Sequence, residues 1–154
     1  MNRRKFLTLS VATALTLPIA SFATDYRAEK PAAWTAKTLD EAVKGLYGDV
    51  KMVKSDKLIL KHPKVAANGG AVPVRIMTDL KVKSVALFQD SNPESAVAVW
   101  SVTDDTIVDY SVKLKLKRKE SGAKTVITVI AEGVDGTFYM RKSSMVVARG
   151  GCEG

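Results

Sequence analysis

The sequence predicts a mainly β protein, an immunoglobulin-like antiparallel β-sandwich with one short helix before it. Short apolar or alternating runs recur after residue 56, and turn-forming residues separate one run from the next. The runs lie at residues 57–61, 71–78, 84–89, 95–101, 107–117, 125–131 and 137–147. About seven strands at this spacing are typical of the immunoglobulin fold, and 154 residues are the length of one domain.

Three of these runs carry further information. Apolar residues alternate with lysines over residues 112–117, as in an edge strand with one buried face and one solvated face. Asp135-Gly136 predicts a β-hairpin with a type I′ turn, in which both central residues need a positive φ. The run at 95–101 is apolar at consecutive positions, which predicts a strand covered on both faces.

One helix is predicted before the first strand. Thr38 and Glu41 have the spacing of a capping box, and Gly48 is placed to end the helix. The apolar side chains between them recur at helical spacing, at Leu39, Ala42, Val43, Leu46 and Tyr47. This apolar stripe must pack on the domain's own sheet or on another subunit.

Residues 1–23 have the features of an export signal. A positive segment with Arg3, Arg4 and Lys5 precedes a weakly apolar stretch that is too short to span a bilayer, and we expect cleavage after Ala23. The spacing R-R-x-F-L predicts the twin-arginine route, and a general secretory signal is the alternative. The mature protein is therefore expected in the periplasm, with a helix-plus-sandwich domain over residues 24–149 and no membrane attachment.

Charge narrows the class of partner. The formal net charge of +8 falls to about +5 after the three leader cations are removed (8 − 3), and much of the excess lies in KLKLKRKESGAK. Such a run could attract an anionic ligand or an acidic partner, although a strand with a solvated lysine face explains it equally. Nucleic acid is not expected, because the protein is exported and no aromatic residues are interleaved with the basic run.

The sequence contains no recognisable catalytic or metal-binding pattern. His62 is the only histidine, and it is expected to be a loop residue with a local hydrogen bond. Nucleotide-binding glycine motifs, the nucleophile elbow and metal-ligand spacings are all missing from the sequence. No cofactor and no metal are expected, and any chemistry should occur at the single cysteine.

That cysteine, Cys152, lies in the closing sequence RGGCEG. Gly150 and Gly151 permit almost any backbone conformation, so residues 150–154 are expected to form a flexible arm that reaches on the order of 15 Å in extended form. An unpaired thiol in an oxidising compartment is open to oxidation, which favours a use for it over an incidental frayed terminus.

These residues resemble the SoxY family, the Y subunit of the SoxYZ sulfur-carrier complex of the bacterial periplasm. Family members end in Gly-Gly-Cys-Gly-Gly, which Gly150, Gly151, Cys152 and Gly154 match. HPKVAANGGAVPV, LFQDSNPES and DGTFYMRKSSMVVARGGC resemble three further family stretches, so that the resemblance covers essentially the whole mature chain.

The resemblance implies a carrier that is a covalent substrate of other enzymes and not an enzyme itself. Cys152 would hold thiosulfate or a related reduced sulfur species as an adduct on the arm. A smaller SoxZ-like subunit would form a heterodimer with the sandwich. The haem-containing SoxAX cytochrome would form the conjugate, the manganese hydrolase SoxB would release sulfate, and in some organisms a sulfur dehydrogenase would oxidise the remaining sulfur.

Two residues depart from the family pattern. Glu153 replaces a glycine directly after the cysteine, and Ala67 replaces a glutamate before Asn68-Gly69. The Glu153 carboxylate disfavours the thiolate and adds bulk and negative charge beside an anionic cargo, while Arg149 could offset part of that charge.

Two other functions remain open at this point. The chain could be an immunoglobulin-like interaction subunit that uses Cys152 only for an intermolecular disulfide. It could also be a thiol enzyme such as a peroxidase or sulfurtransferase, although the sequence offers no resolving cysteine and no convincing base.

Overall fold

The structure, a computed structural model, describes residues 24–148. The helices are α1 (Tyr26–Glu29), α2 (Pro31–Thr35) and α3 (Leu39–Tyr47). The strands are β1 (Met52–Lys54), β2 (Leu58–Lys61), β3 (Val65–Ala66), β4 (Val72–Thr78), β5 (Val82–Gln89), β6 (Ala96–Ser101), β7 (Val108–Leu114), β8 (Thr125–Gly133) and β9 (Phe138–Val147). Short 3₁₀ turns lie at Gly69–Ala71 and Glu120–Gly122.

Two sheets form the immunoglobulin-like sandwich that the sequence predicts. One sheet has the order β1-β9-β8-β5-β6, with β3 also paired to β9, and the other has the order β2-β4-β7. The core lies between them, where buried side chains from β4, such as Val72 and Ile76, meet side chains from β5 and β8, such as Leu87 and Val129. The β8–β9 and β5–β8 pairs are antiparallel, whereas β1 and β3 pair with β9 in parallel.

The helices cover the outer face of the larger sheet. The Thr38 and Glu41 capping box is present at the start of α3, and Gly48 ends this helix with φ 80°. Apolar residues of α2 and α3 pack on Ala86, Phe88 and Ile130 of the sheet, as the predicted stripe requires. Helices α1 and α2, each only one turn long, are not predicted from the sequence.

All seven predicted strands are present, and the two very short strands β1 and β3 were not predicted. The run 107–117 ends as a regular strand at Leu114, but its alternation continues, since Leu116 is buried while Lys115 and Lys117 are exposed. Strand β6 packs on both faces, as predicted, although its side chains are only half-buried: Val97 contacts the core between the sheets, and Val99 contacts the cluster that the helices form with the sheet.

The hairpin between β8 and β9 exists, but the predicted type I′ turn is wrong. The N–H of Gly136 donates to the carbonyl of Gly133 (3.0 Å), so Val134 and Asp135 are the central residues of the turn. Gly136 follows them with φ 81°, which makes a three-residue loop closed by the Gly133 N–H to Thr137 carbonyl bond (2.8 Å). The Asp135 carboxylate accepts hydrogen bonds from the backbone N–H and hydroxyl of Thr137, which stabilises this loop.

Within the described range, no helix is long and apolar enough to cross a membrane. The predicted leader, with Arg3 and Arg4, and its cleavage site after Ala23 lie outside the described residues.

Candidate functional site: the base of the C-terminal segment

The predicted site residues follow directly after the last described residue, Ala148. Residues 149–154, which contain Arg149, Gly150, Gly151, Cys152, Glu153 and Gly154, lie outside the described part of the chain. The structure therefore shows the base from which they continue. We call this base the arm root and define it as Ala66, Gly69, Asn92, Leu116 and Val147.

Short parallel pairing with β3 holds the end of β9. Val65 and Ala66 align with Val146 and Val147, and the N–H of Val146 donates to the carbonyl of Lys64 (3.0 Å). The N–H of Ala148 donates to the carbonyl of Ala66 (2.8 Å), so the pairing reaches the last described residue. Backbone hydrogen bonds therefore fix the end of β9 as far as Ala148.

Gly69 lets a second segment approach this strand end. A Cβ atom at Gly69 would lie 2.3 Å from the carbonyl oxygen of Leu116 and 2.9 Å from Cγ1 of Val147. The Leu116 N–H donates to the Gly69 carbonyl at 2.7 Å. Only a residue without a side chain permits this approach, so the glycine is required here by packing.

Asn92 fixes the segment that carries Leu116. Its side-chain Nδ2 donates to the carbonyl of Lys115 (2.7 Å), and its Oδ1 accepts from the N–H of Lys117 (3.0 Å). The buried Gln89 side chain holds the loop around Asn92, because its Oε1 accepts from the Asn92 N–H (2.7 Å) and its Nε2 donates to the Glu94 carbonyl (2.6 Å). The loop therefore holds the backbone of residues 115–117 in place through hydrogen bonds.

The three internal stretches that carried the family resemblance meet at the arm root. The first, residues 62–74, supplies Ala66 and Gly69; the second, residues 87–95, supplies Asn92; and the third contains β9. Leu116, which no motif singled out, links the first two stretches. Distant parts of the sequence thus cooperate to hold the strand that precedes Cys152.

The surroundings of the root are basic. Lys115, Lys117 and Arg118 are exposed and form no salt bridge within residues 24–148, whereas Lys119 pairs with Asp90 (2.8 Å). Asp90 also accepts a hydrogen bond from the backbone N–H of Val126 (2.8 Å), which attaches the loop to β8. Exposed cations at this position favour anionic groups nearby.

His62 has the local hydrogen bond that the sequence predicts. Its Nδ1 lies 2.9 Å from the carbonyl oxygen of Pro63, and its Nε2 is buried without a partner among the described residues. The described residues contain no group of three or more side chains able to hold a metal ion.

Sequence reasoning missed the roles of Gly69, Gln89 and Asn92. Asn68-Gly69 and Asn92-Pro93 lie in stretches that carry the family resemblance, and both pairs mark contacts at the arm root. A glycine or an amide residue inside a stretch that resembles the family was the available signal, but the contact partners of Gly69 and Asn92 lie far away in sequence.

The fold and this site first define a class of protein, an immunoglobulin-like domain whose last strand is anchored at its C-terminal end. The family model of the sulfur oxidation protein SoxY matches residues 43–152, which is more than half of the chain and includes Cys152. The chain belongs to the SoxY family. It accordingly has a sulfur-carrier role in sulfur oxidation, within a carrier family that is generally periplasmic.

Solved structures support the same fold. The sulfur carrier protein SoxY from Chlorobium limicola f thiosulfatophilum is similar at 21% identity and a TM-score of 0.63, over 72% of this chain and 96% of that one. A superoxide reductase (neelaredoxin) from Ignicoccus hospitalis is similar at 13% identity and a TM-score of 0.51, over 60% of this chain and 80% of that one. At these identities the likeness shows the fold alone. A comparison with curated protein sequences finds no match.

Proposed function

We propose that Cys152 is the covalent attachment point for thiosulfate-derived or other reduced sulfur, which residues 150–154 present to partner enzymes. The observation that carries the proposal is the arm root: three distant family-like stretches hold the strand that runs toward this cysteine. The family match also extends as far as Cys152. No cofactor is needed for this role beyond the sulfur adduct itself.

The attachment is an oxidation. The Cys152 thiolate joins the outer sulfur of thiosulfate, a sulfur–sulfur bond forms, and two electrons leave to an oxidising partner. Hydrolysis of the terminal sulfonate then releases sulfate and two protons and leaves a persulfide anion on the cysteine. Covalent retention prevents loss of a reactive intermediate between these steps.

The partners follow from the family resemblance. A SoxZ-like subunit forms a heterodimer with the sandwich, a SoxAX-type cytochrome accepts the two electrons, and a SoxB-type hydrolase releases the sulfate. A sulfur dehydrogenase is a further partner where the organism has one. We also propose that residues 1–23 direct export through Arg3 and Arg4 and are removed after Ala23.

The exposed lysines at the root suit an anionic cargo, whereas Glu153 opposes it. The Glu153 carboxylate disfavours the neighbouring thiolate, and Arg149 offsets part of this effect. Replacing Glu153 by Gly should therefore raise the alkylation rate of Cys152 near neutral pH, with Glu153→Gln as the variant that removes charge but keeps bulk. An unchanged rate in both variants would count against the electrostatic argument.

The decisive experiment is intact mass spectrometry of the protein purified from the native periplasm, with and without reductant. Fragmentation of the C-terminal peptide then locates any adduct, and a Cys152→Ser chain is the control. Sulfur-bearing, reductant-labile additions on Cys152 are expected in cells that oxidise thiosulfate. A bare thiol or a simple protein–protein disulfide would instead favour the interaction subunit.

A further inference from the structure

The larger sheet ends on one side at β6, whose outer edge has no strand partner among the described residues. Strand β6 pairs with β5 alone, and one extra residue, Val97, lies between the residues aligned with Leu87 and Phe88. This β-bulge interrupts the regular edge at its beginning. The remaining residues, 98–101, present regular backbone N–H and C=O groups outward.

Strand β6 lacks the residues that usually protect a sheet edge. Its sequence, AVAVWS, contains no charge and no proline. The other edge strands of the sandwich carry lysines, as at Lys54 in β1, Lys61 in β2 and Lys113 in β7. An unprotected edge strand of this kind is a template for pairing with another chain.

A groove of about 560 Å³ lies at the beginning of β6, where Ala96 and Val97 are among its apolar lining residues. Arg27 and Trp34 of the helical segment also line it, as do Lys113 and Lys115. The Arg27 guanidinium lies 4.3 Å from the centre of the Trp34 ring. Arg27, Lys113 and Lys115 form no salt bridge within residues 24–148, and Glu94 is the one carboxylate in the lining.

We propose that the edge of β6 at residues 98–101 accepts an extended strand from a different subunit, with apolar side chains along it and carboxylates beside it. The inference rests on the proposed function, because it locates the surface for the second subunit of the carrier complex. Backbone hydrogen bonds supply the pairing, and the basic groove supplies the charge preference.

Charge decides between this occupant and a second copy of the same chain. A second copy would bring the same net positive charge, about +5 for the mature chain (8 − 3), to the pairing edge. Like net charges oppose association, whereas carboxylates on a different subunit would be attracted. Trp100 stacks on Tyr110 at 5.0 Å and so provides an apolar, ordered surface next to the pairing edge.

The test measures binding of the full mature chain to the SoxZ-like subunit of the same organism. Ala98→Lys introduces a charge within the pairing segment, and Val53→Lys is the matched control on the opposite edge strand of the same sheet. Lys113→Glu with Lys115→Glu reverses the groove charge at exposed positions, so folding is preserved even if Ala98→Lys proves unstable. Lys142→Glu is the charge control on β9.

We expect the dissociation constant to rise at least tenfold for the edge variant and for the double charge reversal, and to stay within twofold for both controls. The effect of the charge reversal should shrink as salt is added, because exposed charges are screened. Hydrogen exchange of the outward amides within 98–101 should slow in the complex. Wild-type binding by both test variants, unchanged exchange, or a homodimer that forms along β6 would overturn the inference.

The two proposals fail separately. Adducts on Cys152 together with an unaffected assembly would leave the carrier function in place and remove this interface. Assembly that depends on β6, in a chain without sulfur adducts, would retain the interface and remove the carrier chemistry.

Discussion

Replacing Gly69 by alanine tests the arm root most directly. The added Cβ would lie 2.3 Å from the Leu116 carbonyl oxygen, whereas a carbon–oxygen contact normally needs about 3.3 Å, so the two segments must separate by about 1 Å. The atom that the added Cβ would overlap belongs to the backbone of Leu116, and the N–H of Leu116 donates a hydrogen bond to the Gly69 carbonyl. Rotation of a side chain therefore cannot relieve the overlap.

We expect this substitution to lower the free energy of unfolding by about 1–3 kcal/mol, the usual cost of overpacking. For a domain of this size the corresponding fall in Tm is roughly 3–12 °C. Urea denaturation of the mature chain measures the stability, and hydrogen exchange at Val146 and Ala148 reports whether the β3 pairing has weakened.

Gly70→Ala is the matched control. There the nearest atom to the added Cβ is the side-chain Oδ1 of Asn68 at 3.1 Å, and the site is exposed. Its stability should stay within about 0.5 kcal/mol of wild type, as for most surface changes. Equal stability of the Gly69→Ala and Gly70→Ala chains would refute the argument that backbone approach at Gly69 builds the root.

Three other changes test separate contacts. Asn92→Ala removes two hydrogen bonds to the 115–117 backbone, so we expect a loss of about 1–3 kcal/mol in urea denaturation and faster exchange of the Lys117 amide. Hydrogen bonds from Thr137 hold the pKa of Asp135 below its usual value, so the hairpin loses this stabilisation as pH falls below about 4; the Thr137 amide shift should titrate in wild type and not in Asp135→Asn. Burial raises the pKa of Tyr47, so the stability that its neutral hydroxyl contributes is complete below about pH 10 and is lost at higher pH. Between about pH 10 and 12 the free energy of unfolding should therefore fall less in Tyr47→Phe than in wild type.

Sequence patterns predicted the elements that have their own periodicity. The sequence of α3 has a capping box, apolar residues at helical spacing and a terminating glycine, and the sequence of each long strand is an apolar run between turn residues. Strands β1 and β3 have too few residues for any period, and they exist because β9 offers them a paired edge. The turn after β8 was misassigned. Asp135 and Gly136 were expected to be its two central residues, but the hydrogen bond between Gly133 and Thr137 makes the loop one residue longer, so Val134 and Asp135 are central.

The site was only partly predictable for a related reason. Cys152 stands out by its composition and position in the chain, so the sequence is sufficient to choose it as the candidate cysteine. Its base could not be derived in the same way, because the contact between Gly69 and Leu116 joins residues that share no local pattern. Long-range packing of this kind becomes visible only when the sheets are assembled.

The pairing of β9 has a mechanical consequence. Antiparallel β8 flanks one side of the strand, and the parallel segments β1 and β3 hold the other side near its two ends. If an enzyme draws the chain beyond Ala148 into a cleft, the pull acts along β9 and nearly perpendicular to its hydrogen bonds with β8. The force is then distributed over many interstrand hydrogen bonds, which must break together and not one after another. A force applied to the end of the chain would therefore not separate β9 from the sheet one bond at a time.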